Sequence, residues 1–239
     1  MRHLLIAKSI FFLLLNPLFI HSALSKNIDN QFLSHKLEEN LNKEKHDALK
    51  ELFIHKSFKQ FNKQYLDFRN IYKDAQWSIK TIKTYPDNQF LDIKITSTRE
   101  IGDKIYNLIT KQTVQIMTLN NKIKSYKVIN EESILNSQKS PIVVKIISPN
   151  KVLTGAKYEI NLIIEKPLDH SLIASGMIVL DNKENINITN ELFGIKPNQS
   201  GGLFKYIQAP LEPGFQTISA IITHPEGIYS ITKKIKVGL

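Results

Sequence analysis

The sequence predicts two consecutive modules, an α+β module of helices packed on a curved antiparallel sheet and then an all-β sandwich. Helical periodicity, with apolar residues every three or four positions, runs through residues 30–72, and strand-like alternation replaces it from Trp77 onward. Beyond Pro141 only short strand-like runs remain, separated by turns rich in Pro, Gly and Asn. We therefore place the α+β module at 26–137 and the all-β module at 141–239.

The first 25 residues have the layout of a secretory signal. The basic residues are Arg2 and Lys8, and the apolar stretch follows at 10–15 and 18–20. The small residues Ala23 and Ser25 come last. The unbroken apolar run is far shorter than the roughly 20 residues that a membrane-spanning helix needs. We expect a signal peptide at 1–25 that is cleaved, and an exported protein of the periplasm or the extracellular space. The alternative is an uncleaved N-terminal anchor.

The composition excludes several classes of function. The 239-residue chain has no cysteine, so disulfides, thiolate catalysis and a lipid-modified cysteine are excluded. The net charge is +10, but the lysines are scattered instead of clustered with arginines and aromatic residues. Nucleic-acid sites show such clusters, so we predict no nucleic-acid partner. The positive charge is still compatible with a general attraction to anionic lipid or polysaccharide surfaces.

Five aromatic residues recur at intervals of three and four in the last helical stretch: Phe58, Phe61, Tyr65, Phe68 and Tyr72. That spacing places five rings on one face of a helix. Such a face either packs into the core against a sheet or forms, together with Trp77, the wall of an apolar ligand cavity. These six residues are the candidates for a ligand pocket.

Four antiparallel strands are predicted after this helix. The alternation of Leu91, Ile93 and Ile95 with polar residues indicates a half-buried strand, and Asn120-Asn121 is a two-residue hairpin turn because Asn tolerates positive φ. The long run 105–119 changes its apolar phase, which predicts a bulge at 110–113.

Helices followed by a meander of long strands resemble the nuclear transport factor 2-like superfamily, a cone of curved sheet closed by helices. The resemblance rests on the aromatic helix 58–72, on Trp77 and on the hairpin 105–129, and it covers about 27–135. It departs from the usual pattern because no strand pair lies between the helices. The resemblance implies a pocket inside the cone, which members use for catalysis, binding or dimerisation, and pairing of two copies through the open sheet face.

The second module has about seven short strands separated by regular turns, and it resembles an immunoglobulin-like sandwich. The predicted strands are 142–147, 158–165, 172–180, 186–192, 203–208, 215–223 and 228–237. The run 211–215 resembles the entry to the sixth strand of such domains, although Phe215 stands where many have Tyr. The cysteine pair and buried tryptophan of antibody domains are absent from this module.

No catalytic motif or metal-ligand spacing is present in the sequence. There is no phosphate-binding glycine loop, no His-Glu-x-x-His and no Gly-x-Ser-x-Gly, so we predict no cofactor and no metal. The only acid-base candidates are Asp74, at a helix end, and Asp92, on a strand. A carboxylate pointing into an apolar cone would have a raised pKa and could transfer protons. The alternative is a solvated carboxylate on a wet strand face.

These patterns favour an exported, non-enzymatic bacterial envelope protein that binds a small ligand or an envelope protein partner. Two alternatives stay open. One is a pocket enzyme of isomerase, dehydratase or hydrolase type in the α+β module, and the other is a structural or adhesive surface protein.

Overall fold

The computed structural model describes residues 30–85, 88–166, 172–181, 194–198 and 201–238. The predicted signal peptide and the predicted strand at 186–192 lie outside these residues. No helix within the described ranges is long and apolar enough to cross a membrane.

Three short helices open the described chain: α1 Asn30–Asn42, α2 His46–Glu51 and α3 His55–Ile71. The helical stretch predicted from residue 30 is interrupted after α1, where Glu44 adopts a positive φ of 52°. A left-handed residue at this position ends a helix and turns the chain, which glycine does more often than glutamate. The aromatic periodicity of the third stretch correctly predicted α3.

Twelve strands follow the helices in the described part of the chain, most of them in antiparallel ladders. Their bounds are β1 Gln76–Thr84, β2 Asn88–Ile101, β3 Lys104–Leu119, β4 Lys122–Ser137, β5 Val144–Ile147, β6 Lys151–Val152, β7 Lys157–Ile164, β8 Ile173–Asp181, β9 Lys196–Asn198, β10 Gly202–Gln208, β11 Gly214–His224 and β12 Gly227–Val237. The chain is therefore a small helical part followed by a large antiparallel sheet structure, as the predicted α+β layout requires.

The chain divides into two compact units. The helical unit comprises the described part of Phe11–Thr98 together with Ile109–Ile129. The sandwich unit comprises Arg99–Leu108 together with the described part of Asn130–Leu239. Strands β2, β3 and β4 thus contribute residues to both units.

In the helical unit the strand order is β1-β2-β3-β4. Asn120 and Asn121, which join β3 to β4, have φ values of 50° and 63°, so the predicted two-residue turn is confirmed. The predicted change of buried face along β3 is wrong, because one alternating set of side chains stays inward along the whole strand. Thr110 and Gln112 occupy buried positions in that set, whereas Ile109 is exposed.

Helix α1 covers the outer edge of β1 with two polar side chains one turn apart. Asn42 donates from Nδ2 to the Trp77 carbonyl at 2.8 Å and accepts from the Trp77 amide at 2.7 Å. Glu38 accepts from the Ile79 amide at 2.6 Å. Farther along, the β1–β2 register shifts between Thr81 and Lys83. Helix cover and a bulge are two ways in which proteins block an edge strand against pairing with another chain.

In the sandwich unit two sheets enclose one hydrophobic cluster. The larger sheet has the order β4-β12-β11-β8-β9, with β6 parallel to β12, and the smaller has the order β10-β7-β5. Leu162 of β7 and Ile207 of β10 pack with Ile222 of β11 and Ile235 of β12. Of the seven predicted strands, all but 186–192 correspond to described strands, whereas β6 and β9 were not predicted.

Polar pairs fix the register between β4 and β12. Lys233 lies opposite Glu132 and Lys234 opposite Glu131. The Lys233 Nζ is 3.6 Å from the Glu132 carboxylate, and only 11% of the Lys233 side chain is exposed. A slip by one residue would leave only one of the two lysines opposite a glutamate, so the two acidic and two basic neighbours favour this pairing.

Candidate ligand site in the helical unit

A cavity of about 100 Å³, partly open to solvent, lies between the helices and the sheet of the helical unit. Its helical and loop lining is Leu37, Leu41, Phe53, Phe61, Gln64, Tyr65 and Phe68. Its strand lining is Trp77, Leu91, Ile93, Ile95, Gln112, Val114, Ile116, Ile123, Tyr126 and Val128. The described lining is almost wholly apolar and contains no charged side chain, which is typical of a site for an apolar ligand.

Four of the six predicted pocket residues line this cavity, and all four are aromatic: Phe61, Tyr65, Phe68 and Trp77. The other two are not in the lining. The Phe58 ring packs edge-on against His46 at 5.9 Å. The Tyr72 side chain is fully buried, with its ring 5.0 Å from that of Phe68. The helical face therefore serves both as core and as cavity wall.

The aromatic wall is a continuous chain of ring contacts. Phe61 stacks on Phe53 at 4.6 Å and on Tyr65 at 6.0 Å. Trp77 then contacts both Tyr65 and Phe68 at 5.8 Å. Rings held by several neighbours have few alternative rotamers, so the wall keeps its shape without a ligand.

Arg69 supports this wall from behind and was not singled out by the sequence. Its guanidinium lies 4.5 Å from the centre of the Trp77 ring. Nη2 donates to the Leu41 carbonyl and Nη1 to the Lys73 carbonyl, both at 2.8 Å. These carbonyls belong to the ends of α1 and α3, where the helix dipole favours a cation. The Arg69 guanidinium is thus hydrogen-bonded within the protein, and Arg69 is not among the residues that line the cavity.

Two polar residues of the lining, Gln64 and Tyr126, are joined by a hydrogen bond. The Tyr126 hydroxyl donates to Oε1 of Gln64 at 2.6 Å. Burial raises the pKa of Tyr126 well above its ordinary value, so the hydroxyl stays protonated at any physiological pH. The sequence pattern did not single out Gln64, because it falls between Phe61 and Tyr65 of the aromatic stripe.

The two carboxylate candidates lie away from the cavity. Asp92 is exposed and accepts a hydrogen bond from Thr113 Oγ1 at 3.0 Å. Asp74 accepts hydrogen bonds from Ser97 and from the amide and hydroxyl of Thr98. Burial raises the pKa of Asp74, but these hydrogen bonds lower it by more, so the net pKa is below 3.8. Asp74 therefore acts as an ionised tie between the end of α3 and β2.

A second, wider cleft of about 520 Å³ lies in the sandwich unit, beside β8 and β10. Lys205 crosses from β10 and donates to the Met177 carbonyl at 3.3 Å. Lys196 also lines the cleft, and the described lining contains no carboxylate. The local charge therefore favours anionic groups.

The match to a known family lies in the second half of the chain. Residues 139–238 match a family described as a domain of unknown function, DUF8623. The match covers less than half of the chain and leaves the cavity of the helical unit outside. No curated protein matches the chain.

Proposed function

We propose that this chain is an exported, non-enzymatic envelope protein whose helical unit, a nuclear transport factor 2-like cone, binds a small apolar ligand. The supporting observation is the cavity of about 100 Å³, whose described lining is aromatic and aliphatic and carries no charge. Engineered apolar cavities of about 150 Å³ stay dry and bind benzene. A ligand of about one ring in size is therefore matched to the space.

The geometry favours binding over catalysis. A pocket enzyme needs an acid or base within hydrogen-bond reach of the reacting atom. Asp74 and Asp92, the carboxylates proposed for that role, are committed to hydroxyl and amide donors outside the cavity lining. The pocket-enzyme alternative would regain support only if the purified protein turned over a substrate and Asp92→Asn abolished that turnover.

Ethylbenzene binding tests the proposed site. The chain has one tryptophan, and Trp77 lies in the cavity wall, so its fluorescence reports occupancy directly. Val114→Phe fills the cavity from β3 and should abolish the fluorescence change and the ligand-induced rise in Tm. Ile109→Phe, at an exposed position of the same strand, should bind as the unsubstituted protein does. Unchanged binding in a folded Val114→Phe variant would refute the site.

The proposed export rests on residues 1–25 alone. Cell fractionation followed by N-terminal sequencing should place the protein outside the cytoplasm with Lys26 as its first residue. Recovery of an intact Met1 in the membrane fraction would support the anchor instead.

A second candidate function is attachment to an anionic polysaccharide or lipid surface through an immunoglobulin-like sandwich unit. The cleft with Lys196 and Lys205 favours it. Substituting both lysines by glutamine should weaken binding to anionic vesicles at low salt. Lys157→Gln, on the exposed face of β7, is the matched control.

A further inference from the structure

We propose that the cavity selects neutral ligands carrying one hydrogen-bond acceptor, and that the Gln64–Tyr126 pair recognises this acceptor. The inference rests on the proposed ligand-binding function and names the chemical class of its ligand. Small ketones, esters and ethers belong to this class, whereas carboxylates and pure hydrocarbons do not.

The pair has a donor group that it does not use. Tyr126 donates its hydroxyl proton to Gln64 Oε1 at 2.6 Å, and the Gln64 Nε2 group donates to none of the described residues. With the amide turned over, Nε2 would donate to the tyrosine oxygen and the hydroxyl proton would be the spare donor. Either arrangement presents a donor at the cavity lining, so an acceptor on the ligand gains a partner there.

The cavity disfavours a charged ligand. An anion placed among these side chains would lose its hydration without gaining a counter-charge, which costs several kcal/mol. Arg69, the nearby buried cation, already donates to the Leu41 and Lys73 carbonyls. The Tyr126 hydroxyl, kept neutral by its raised pKa, adds no charge of its own.

Three ligands of similar shape separate these requirements: ethylbenzene, acetophenone and benzoate. Titrations at pH 7.5, followed by Trp77 fluorescence, give their dissociation constants in the purified protein. Acetophenone should bind at least about 30-fold more tightly than benzoate, because only the anion would be buried without a partner. The carbonyl stretch of bound acetophenone should lie below its frequency in hexane, because the carbonyl accepts a hydrogen bond.

Substitution identifies the donor. In Gln64→Leu/Tyr126→Phe, the affinity ratio of acetophenone to ethylbenzene should fall about 3- to 10-fold, as expected for one lost hydrogen bond. The ratio and not the affinity for ethylbenzene is the readout, because both substitutions also alter the cavity wall. Each single variant leaves one donor and should keep most of the preference. Gln60→Leu, the same change on α3 outside the lining, is the matched control.

The outcomes distinguish the inference from the function on which it rests. Failure of all three ligands to bind would overturn the proposed function. Ethylbenzene binding with an unchanged ratio in the double variant, or benzoate binding as tightly as acetophenone, would overturn the inference alone. If the double variant did not fold, the unsubstituted protein would still test the inference. A carbonyl frequency of bound acetophenone that was not shifted from its value in hexane would overturn it.

Discussion

The interiors of the two units are built differently. In the helical unit Ile116, 2% exposed, borders an open space of about 100 Å³, whereas in the sandwich unit Ile222, wholly buried, belongs to a closed cluster of apolar side chains. Protein interiors are normally packed as densely as organic crystals, with few voids larger than a water molecule. Since the same chain closes one core and leaves space in the other, the cavity is a local feature of the helical unit and not a general packing weakness.

The largest expected effect is the cost of a truncation in the sandwich core, which a matched truncation at the cavity wall should not reach. Ile222→Ala should lower the free energy of unfolding by about 4 kcal/mol, as is usual for a well-packed isoleucine. Ile116→Ala should cost about 2 kcal/mol, because a side chain bordering a void has fewer contacts to lose. Urea denaturation of both variants measures the two costs. Equal costs would mean that the cavity wall is as tightly packed as the sandwich core.

Charge reversal tests the polar pairing that is special to the sandwich unit. Lys233→Glu places a carboxylate opposite Glu132 at a poorly solvated position and should cost about 3 kcal/mol, because repulsion replaces the ion pair. The exchanged pair Lys233→Glu/Glu132→Lys should recover at least half of this loss in guanidinium denaturation. A double variant no more stable than the single one would show that the pair does not specify the register.

Gly227 tests how closely strands approach in the sandwich unit. A Cβ atom at this position would lie 2.4 Å from Cβ of Ser137, far inside van der Waals contact. Gly227→Ala should therefore cost about 2 kcal/mol, as forced overpacking does. The same substitution should cost less in a Ser137→Gly chain, which already lacks the Oγ that accepts from the Ile228 amide, and thermal unfolding of both single variants and the double variant measures the difference. No relief would point to backbone strain instead.

The smallest effect concerns the acid stability of the helical unit. The folded pKa of Asp74 lies below the ordinary 3.8, so its ionised form contributes stability above that pH. The contribution is lost as the pH falls through the folded pKa. The stability difference between the unsubstituted protein and Asp74→Asn should therefore be constant near pH 7 and shrink below about pH 3.8. A difference that stayed unchanged from pH 7 to pH 2 would exclude the carboxylate as its source.

Features specified by neighbouring residues were predictable from the sequence. The stripe on α3 follows from helical geometry, and the Asn120-Asn121 turn follows from the tolerance of Asn for positive φ. The prediction of a change of face on β3 was wrong because Gln112, a polar residue, is buried at the cavity, and hydrophobicity alone assigned it to the opposite face. Periodicity of apolar residues cannot anticipate a buried polar side chain.

The contacts of Arg69 with the cavity wall and the hydrogen bond between Gln64 and Tyr126 could be seen only in the structure. The Arg69 guanidinium donates to the Leu41 and Lys73 carbonyls, which the fold brings together. Leu41 is 28 residues away in the sequence, so local patterns do not show this contact. One signal was available: in a lysine-rich chain, Arg69 and Arg99 are the only arginines after residue 25. Gln64 gained its role from Tyr126, 62 residues away.

The contacts that α1 makes with β1 bear on self-assembly. Asn42 and Glu38 take up the outward-facing groups of Trp77 and Ile79, which a strand from another molecule would otherwise use. Blocking this edge against polymerisation thus depends on two side chains of one short helix. Proteolytic loss of α1 would uncover these backbone groups of β1 and leave them as a template for intermolecular sheet growth.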